Sequence, residues 1–330
     1  MADVSYINNL KVGEVNLSYY IPGPLTKVKY TEESGLPDWE GEIVGKLFGN
    51  SIPNKSNVEK IEIGNTVTGI SANVFLHCTN LANLKMPNSI TSIEYQAFQG
   101  CTKLTNIRLS NSITAIETNT FYGCGFTSVE IPNGVTSIGA QAFYNCRGLI
   151  SVTIPDSVTN IGGAAFMFCS SLTSMTIPKN VTSIGGSAFR NCSNLTSMIV
   201  PDNVTSIMDY TFWGCSNMLD IAIGGNVTSV GTRTFCDCSN CMIFDFRKAT
   251  SVPVLNSTNA FENTPPKKEI IVPDSLYDDW IVASNWSSTT NNIRPCIVKA
   301  SECSLVKTHV KYTAASGLED WSGTITGQLT

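Results

Sequence analysis

Twelve cysteines and two histidines are the residues of this 330-residue chain whose types and spacing could do chemistry. Cys78, Cys101, Cys124, Cys146, Cys169, Cys192, Cys215 and Cys238 follow one another in steps of 23 residues, with a single step of 22. A catalytic thiol needs a base beside it, and the only neighbour of that kind is His77, next to Cys78; the other histidine, His309, opens a distant segment. The repeat argues against the pair. His77 falls where other units carry Gly100, Asn145, Phe168 and Asp237, a solvated turn position, while the register points Cys78 inward. Metal binding has one candidate, the cluster CDCSNC at 236–241. Zinc wants four tetrahedral ligands, but Cys238 belongs to the regular series and Cys241 stands where other units have Leu81, Leu104, Leu149, Leu172 and Leu195. Only Cys236 is left over. No H-E-x-x-H, phosphate-loop or dinucleotide glycine pattern occurs. The expectation is a chain that is not an enzyme and holds no metal and no cofactor. Pairing of Cys236 with Cys296, or of Cys296 with Cys303, is left open.

The elements that position the thiols repeat with them. Three residues before each cysteine stands an aromatic, as in Phe143, Phe166, Phe189 and Phe212. After it comes an L-x-x-V-x-I phrase (Leu149, Val152, Ile154), then a proline (Pro132, Pro155, Pro178, Pro201), then V-T-S-I. A fixed period of 20–29 residues with several apolar columns marks a solenoid whose unit cannot bury its own face. Both phrases alternate and are rich in β-branched residues, so each coil is expected to carry two short strands. Proline ends the first strand by withdrawing a ladder donor, and Gly162-Gly163 or Gly185-Gly186 turns a tight corner into a short helical turn. Coils stacked about 4.8 Å apart would place each column over itself, so that the cysteines form a buried, reduced ladder of small hydrophobic side chains. Parallel side-chain vectors oppose disulfides between neighbouring coils.

The phrase L-T-S-V-T-I-P-x-S-V-T-S-I-G-x-x-A-F-x-x-C, followed closely by residues 149–169 and 172–192, resembles the BspA-type leucine-rich repeat and covers about 57–265. The family occurs in surface proteins of gut and oral bacteria and in some protists. The resemblance implies a right-handed leucine-rich-repeat β-solenoid of roughly eight coils and a function in adhesion or recognition without catalysis. The segment IIVPDSLYDDWIVASNW (270–286) is similar to the family's closing element. There Asp274 or Ser275 is expected to cap a short helix with Leu276, Trp280 and Ile281 on one face, covering the last coil.

A second repeat has another period. VKYTEESGLPDWEGEIVGKL (28–47) returns as VKYTAASGLEDWSGTITGQL (310–329), reading as a strand, a Ser-Gly turn and a second strand in a small β-rich module. Trp39 and Trp321 read as anchors of those modules. Either the chain is one period of a longer tandem protein, or residues 28–48 and 310–330 serve self-association or docking to an assembly. The expected organisation is an extension at 1–27, a first module at 28–56, the repeat array at 57–266, a cap at 267–299 and a second module at 300–330.

Composition narrows the partners. Charged residues make up 14% of the chain and the net charge is −5, which speaks against nucleic acid, and no apolar run approaches a membrane span. The first twenty residues lack a basic and an apolar region, so no signal peptide is expected. A protein or glycan ligand is the expected partner, and two surfaces are candidates. The position two before each cysteine reads Tyr122, Tyr144, Met167, Arg190 and Trp213 in successive coils, residue types that carry contact energy. The outward columns of the first strand are Ser and Thr with a charged N-terminal end at Lys85, Arg108 and Glu130. The expected setting is a bacterial cell surface, with a structural part of a phage virion as the alternative.

Overall fold

The computed structural model describes residues 26–30, 39–41, 45–47 and 55–303. His309, Trp321 and residues 304–330 of the second module lie outside the described residues, as does the side chain of Trp39. Within them the chain winds through about 10 turns of a parallel-strand β-solenoid. The roughly eight coils expected from the cysteines are fewer, because strands without a ladder cysteine continue the stack, Gly45–Leu47 at one end and Ile243–Asp245, Glu269–Val272 and Ile297–Lys299 at the other.

Each coil has three sides. On the first, the L-x-x-V-x-I phrase gives strands paired in parallel and in register: Ser128–Glu130 on Ser151–Thr153, and Ser197–Ile199 on Asp220–Ala222. Their central residues, Val129, Val152, Met198 and Ile221, are buried and their flanks face out. The second side is the V-T-S-I phrase, paired coil on coil from Ala115–Ile116 to Ser183–Ile184. A turn between the sides follows each proline, whose carbonyl accepts from the residue three later, as in Val158 N to Pro155 O and Val181 N to Pro178 O.

The short helical turns on the third side take a particular form. Alternate N–H groups close i→i−3 turns, as in Tyr144 N to Gln141 O and Cys146 N to Phe143 O. The others reach forward to the next coil, as in Gln141 N to Gly163 O, Phe143 N to Ala165 O and Asn145 N to Met167 O. Left-handed residues four apart, such as Gln141 and Asn145 (φ 56 and 60), switch the backbone between the two patterns. Every N–H is thereby used without a continuous helix.

Phenylalanines fill the centre. Phe75, Phe98, Phe121, Phe143, Phe166, Phe189, Phe212 and Phe235 are fully buried, and their rings stack along the axis with centroids 4.9 Å to 6.0 Å apart. The 22-residue step is absorbed at Gly125-Phe126. Phe126 fills the leucine column edge-on to Phe121, and a Cβ on Gly125 would stand 2.1 Å from the Thr102 carbonyl oxygen.

At the C-terminal end the segment expected as a cap carries two more strands of the first sheet, Glu269–Val272 and Ile297–Lys299. Helix α1 (Tyr277–Val282) follows a short 3-10 turn and buries Trp280 against Phe246 and Trp286, with Leu276 and Ile281 packed on the core. Neither Asp274 nor Ser275 caps α1. Leu276 holds the N-cap position with no side-chain bond, and the Asp274 carboxylate accepts from Ser301 N at 3.0 Å instead, tying the helix entry to the chain beyond the last strand. No helix among the described residues is long and apolar enough to cross a membrane.

At the N-terminal end β1 (Thr26–Tyr30) pairs antiparallel with β2 (Trp39–Gly41) and with β4 (Val58–Glu62). Strand β3 (Gly45–Leu47) pairs in parallel with β5 (Val67–Ile70), the first full strand of the second side.

Candidate functional site

The thiols come first because they posed the chemical question. Cys101, Cys124, Cys146, Cys169, Cys192, Cys215 and Cys238 each donate to the carbonyl oxygen of the phenylalanine one coil earlier, at 3.1–3.2 Å. Cys78 begins the column and is buried with them. Burial pushes the thiols from Cys101 to Cys238 up, Cys146 and Cys192 to about 12. A thiol held protonated at neutral pH is neither nucleophile nor metal ligand, so the ladder is packing with one weak hydrogen bond per rung. All twelve cysteines are free, and neither disulfide left open by the sequence is present. Cys236 lies 3.8 Å from Glu262, Cys238 is a rung, and Cys241 fills the leucine column, its N–H donating to Cys238 O as Leu172 N does to Cys169 O. His77 is exposed with φ 58, and its imidazole lies over Gly100 of the next coil, where a Cβ would stand 2.5 Å from Nδ1.

The turn stripe is brought together, but against itself. Tyr122 and Tyr144 stack at 4.6 Å with 11° between their planes, and Phe168 meets Tyr144 edge-on at 5.5 Å. The Arg190 guanidinium lies 3.7 Å above the Trp213 ring and 5.8 Å from Tyr210, and Trp213 Nε1 donates to the Asp237 carboxylate. These side chains and Met167 are half-buried. Coil spacing equals ring-stacking distance, so like residues in one column cover each other's faces. Burial, and then the neighbouring Tyr144, raise the Tyr122 hydroxyl above its usual range. Ring edges, and not ring faces, look outward.

The second-strand threonines are likewise committed to the rod. Thr91, Thr136, Thr159, Thr182 and Thr228 donate to threonine carbonyls one coil back, at 3.0–3.3 Å. A shallow recess on this side, lined by Thr91, Glu94, Tyr95, Thr114 and Glu117, contains neither histidine nor cysteine.

On the first side Thr173 and Thr196 make the same kind of bond, to the carbonyls of Ile150 and Thr173, but other side chains of the strand face stand free of it. Lys85, Arg108 and Glu130 are exposed there, and Lys85 pairs with Glu62, which lowers that carboxyl. Beyond them the columns turn neutral through Ser151, Thr153, Ser174 and Thr176, all exposed. On this same side Ile150, Ile199 and Leu219 stand 51%, 66% and 56% exposed. Ile199 stands in the outward column that reads Glu130, Thr153 and Thr176 in earlier coils; sequence alone missed Ile150 and Leu219, whose signal is an apolar residue in a column that elsewhere reads Thr105, Thr127, Thr173 and Thr196.

The chain has relatives among known proteins. The BspA type leucine rich repeat region matches in 6 copies, over residues 47–170, 114–242 and 159–278. Among solved structures, a leucine rich cell surface protein from Faecalibacterium prausnitzii is 27% identical, covering 71% of this chain and 70% of its own, with a TM-score of 0.49. A leucine rich repeat protein of T. pallidum is 28% identical over 61% of this chain and 79% of its own, with a TM-score of 0.40. No curated protein matches.

Proposed function

We propose, from the premise that this chain belongs to the BspA-type leucine-rich repeat family, that it is a non-enzymatic binding scaffold whose first-strand face holds a protein or glycan ligand at a bacterial cell surface. The observation that carries the reading is the trio Ile150, Ile199 and Leu219 on an otherwise Ser/Thr face. Exposed side chains of this size do nothing for the stack, whereas the threonines of the second side and the rings of the turn stripe are spent within it. Apolar anchors amid neutral hydroxyls suit a ligand that buries a few apolar groups and hydrogen-bonds around them. The charged end at Lys85, Arg108 and Glu130 would orient a polar partner more than it would hold it. The cell-surface setting rests on the family, which is why the proposal follows it and not a virion part. Catalysis has no place in this reading: the thiols are buried and protonated, and His77 faces away from them.

A screen of immobilised glycans and bacterial and host surface proteins tests it, run with the native chain, with Ile199→Asp/Leu219→Asp, and with Tyr122→Ala/Trp213→Ala. A ligand of the native chain should lose at least about tenfold in affinity, roughly 1.4 kcal/mol, with the strand-face pair. It should lose little with the stripe pair. The opposite ranking would move the site to the turn stripe and overturn the reading.

A further inference from the structure

Two of the exposed anchors, Ile150 and Leu219, belong to one column of the first-strand face, and that column presents apolar atoms in five successive coils. Ile150, Thr173, Thr196, Leu219 and Met242 follow one another in steps of 23 residues. Each N–H donates to the carbonyl of its predecessor, Thr173 N to Ile150 O, Thr196 N to Thr173 O, Leu219 N to Thr196 O and Met242 N to Leu219 O, so the five lie one over the next. The two threonines do not interrupt the ridge. Their hydroxyls turn back to Ile150 O and Thr173 O, at 3.4 and 3.3 Å, which leaves the γ-methyls to the surface. A sugar chain laid along this column would find its hydroxyls already engaged, whereas an apolar stripe would meet carbon in every coil. Charge enters at one end. Asp220 stands beside Leu219, half-buried and without an ion-pair partner among the described residues. Burial, and then the Asp245 charge, raise its carboxyl above the usual range, while Asp245 itself is paired with Arg247.

We propose that the ligand of the first-strand face is an amphipathic α-helix of another protein, lying along the solenoid axis with its apolar stripe on the ridge from Ile150 to Leu219, Ile199 at its flank and a basic side chain at Asp220. The inference rests on the reading of this face as the binding site and narrows it. Spacing selects the helix. Coils repeat about every 4.8 Å, a helix returns to the same side about every 5.4 Å, and a strand laid along the axis does so about every 6.8 Å. Over the three steps from Ile150 to Leu219 the helix drifts by about 2 Å and the strand by about 6 Å, so the helix keeps its side chains over the ridge and the strand does not. Reaching Met242 takes about 13 residues of helix, between three and four turns. Charge selects the sign of the partner. A half-buried carboxylate beside the anchor favours an incoming Lys or Arg and opposes an acidic residue in the same place. This is recognition of a helix through apolar anchors spaced at its turns, with one charge fixing which end goes where.

Three stapled, fluorescent helical peptides of about 16 residues, titrated with the full chain, test it. The first carries leucines at i, i+4, i+7 and i+11 and a pair of lysines in its first turn. The second has glutamates for those lysines, and the third scatters the leucines around the helix. The first should bind saturably, the second at least about threefold more weakly and the third at least about tenfold more weakly. Ile199→Asp/Leu219→Asp should weaken the first peptide at least about tenfold. Asp220→Ser, which places there the residue of Ser151, Ser174 and Ser197, should bind the first two peptides alike. No saturable binding, equal binding of the scattered peptide, or a lysine preference unmoved by Asp220→Ser overturns the proposal. So does a glycan from the screen above whose binding falls with Ile199→Asp/Leu219→Asp, but that result keeps the strand face as the site, so the two readings fail separately.

Discussion

Replacing Phe189 by alanine removes one ring from the middle of the stack. Phe189 is fully buried, with Phe166 on one side at 5.7 Å and 3° and Phe212 on the other at 5.6 Å and 9°. The lost ring leaves a cavity that neighbouring coils cannot close, because their own backbones are fixed by the ladders on three sides. Large-to-small changes of this kind cost about 3–5 kcal/mol, and two stacked partners place Phe189→Ala in the upper part of that range. Phe75 supplies the internal control. It is equally buried but has, among the described residues, a single stacked phenylalanine, Phe98, at 4.9 Å, so Phe75→Ala should cost about 1 kcal/mol less. Urea unfolding followed by far-ultraviolet circular dichroism measures both, with the slope of the transition checked for unchanged cooperativity. A loss below about 1 kcal/mol at Phe189, or a larger loss at Phe75, would refute the stacked core.

Two further outcomes follow from the same packing. The ladder thiols from Cys101 to Cys238 have their folded pKa raised by burial, Cys146 and Cys192 from 9.0 to about 12, so their contribution is whole below pH 9 and is lost as pH climbs toward the folded value. The free energy of unfolding should be flat from pH 7 to about 8.5 and then fall by about 1 kcal/mol per pH unit for each ladder thiol so raised; Cys192→Ala should shallow the fall, and a stability level through pH 10.5 would contradict it. A Cβ on Gly162 would meet Ala140 N at 2.5 Å, whereas one on Gly163 meets only Gly186 O at 3.5 Å. Gly162→Ala should therefore cost about 1–3 kcal/mol and Gly163→Ala almost nothing, measured as melting temperatures; equal shifts would count against the close approach of successive corners.

The columns were legible because a solenoid writes its core once per period. Phe189, Cys192, Leu195, Met198 and Ile207 all lie where alternation and the 23-residue step place them. That each thiol's weak S–H donates to a turn carbonyl was legible; that the acceptor is the phenylalanine one coil back was not, since the sequence does not show which carbonyl the turn aims inward. Residues such as Ala164, Ser187 and Arg233 hold positive φ without being glycine or asparagine, so composition gives no cue to that turn. The cap misled for a local reason: Asp274 sits at a helix start but finds a better donor in Ser301, brought close only by the strand at 297–299. For the candidate site, sequence names the residue types of the turn stripe and allows that they only cover the adjacent coil; the stacking of Tyr122 on Tyr144, one coil apart, follows from the coil spacing. Ile150 and Leu219 were hidden because an apolar residue in a strand reads first as core; only the register shows that its column is outside.

Counting thiols is the most direct test of coils lying over one another. In native protein the eight ladder cysteines should not react with an aromatic disulfide reagent near neutral pH, and unfolding without reductant should then release all twelve thiols. Ladder cysteines that react in the native state, or fewer than twelve thiols after unfolding, would contradict the account.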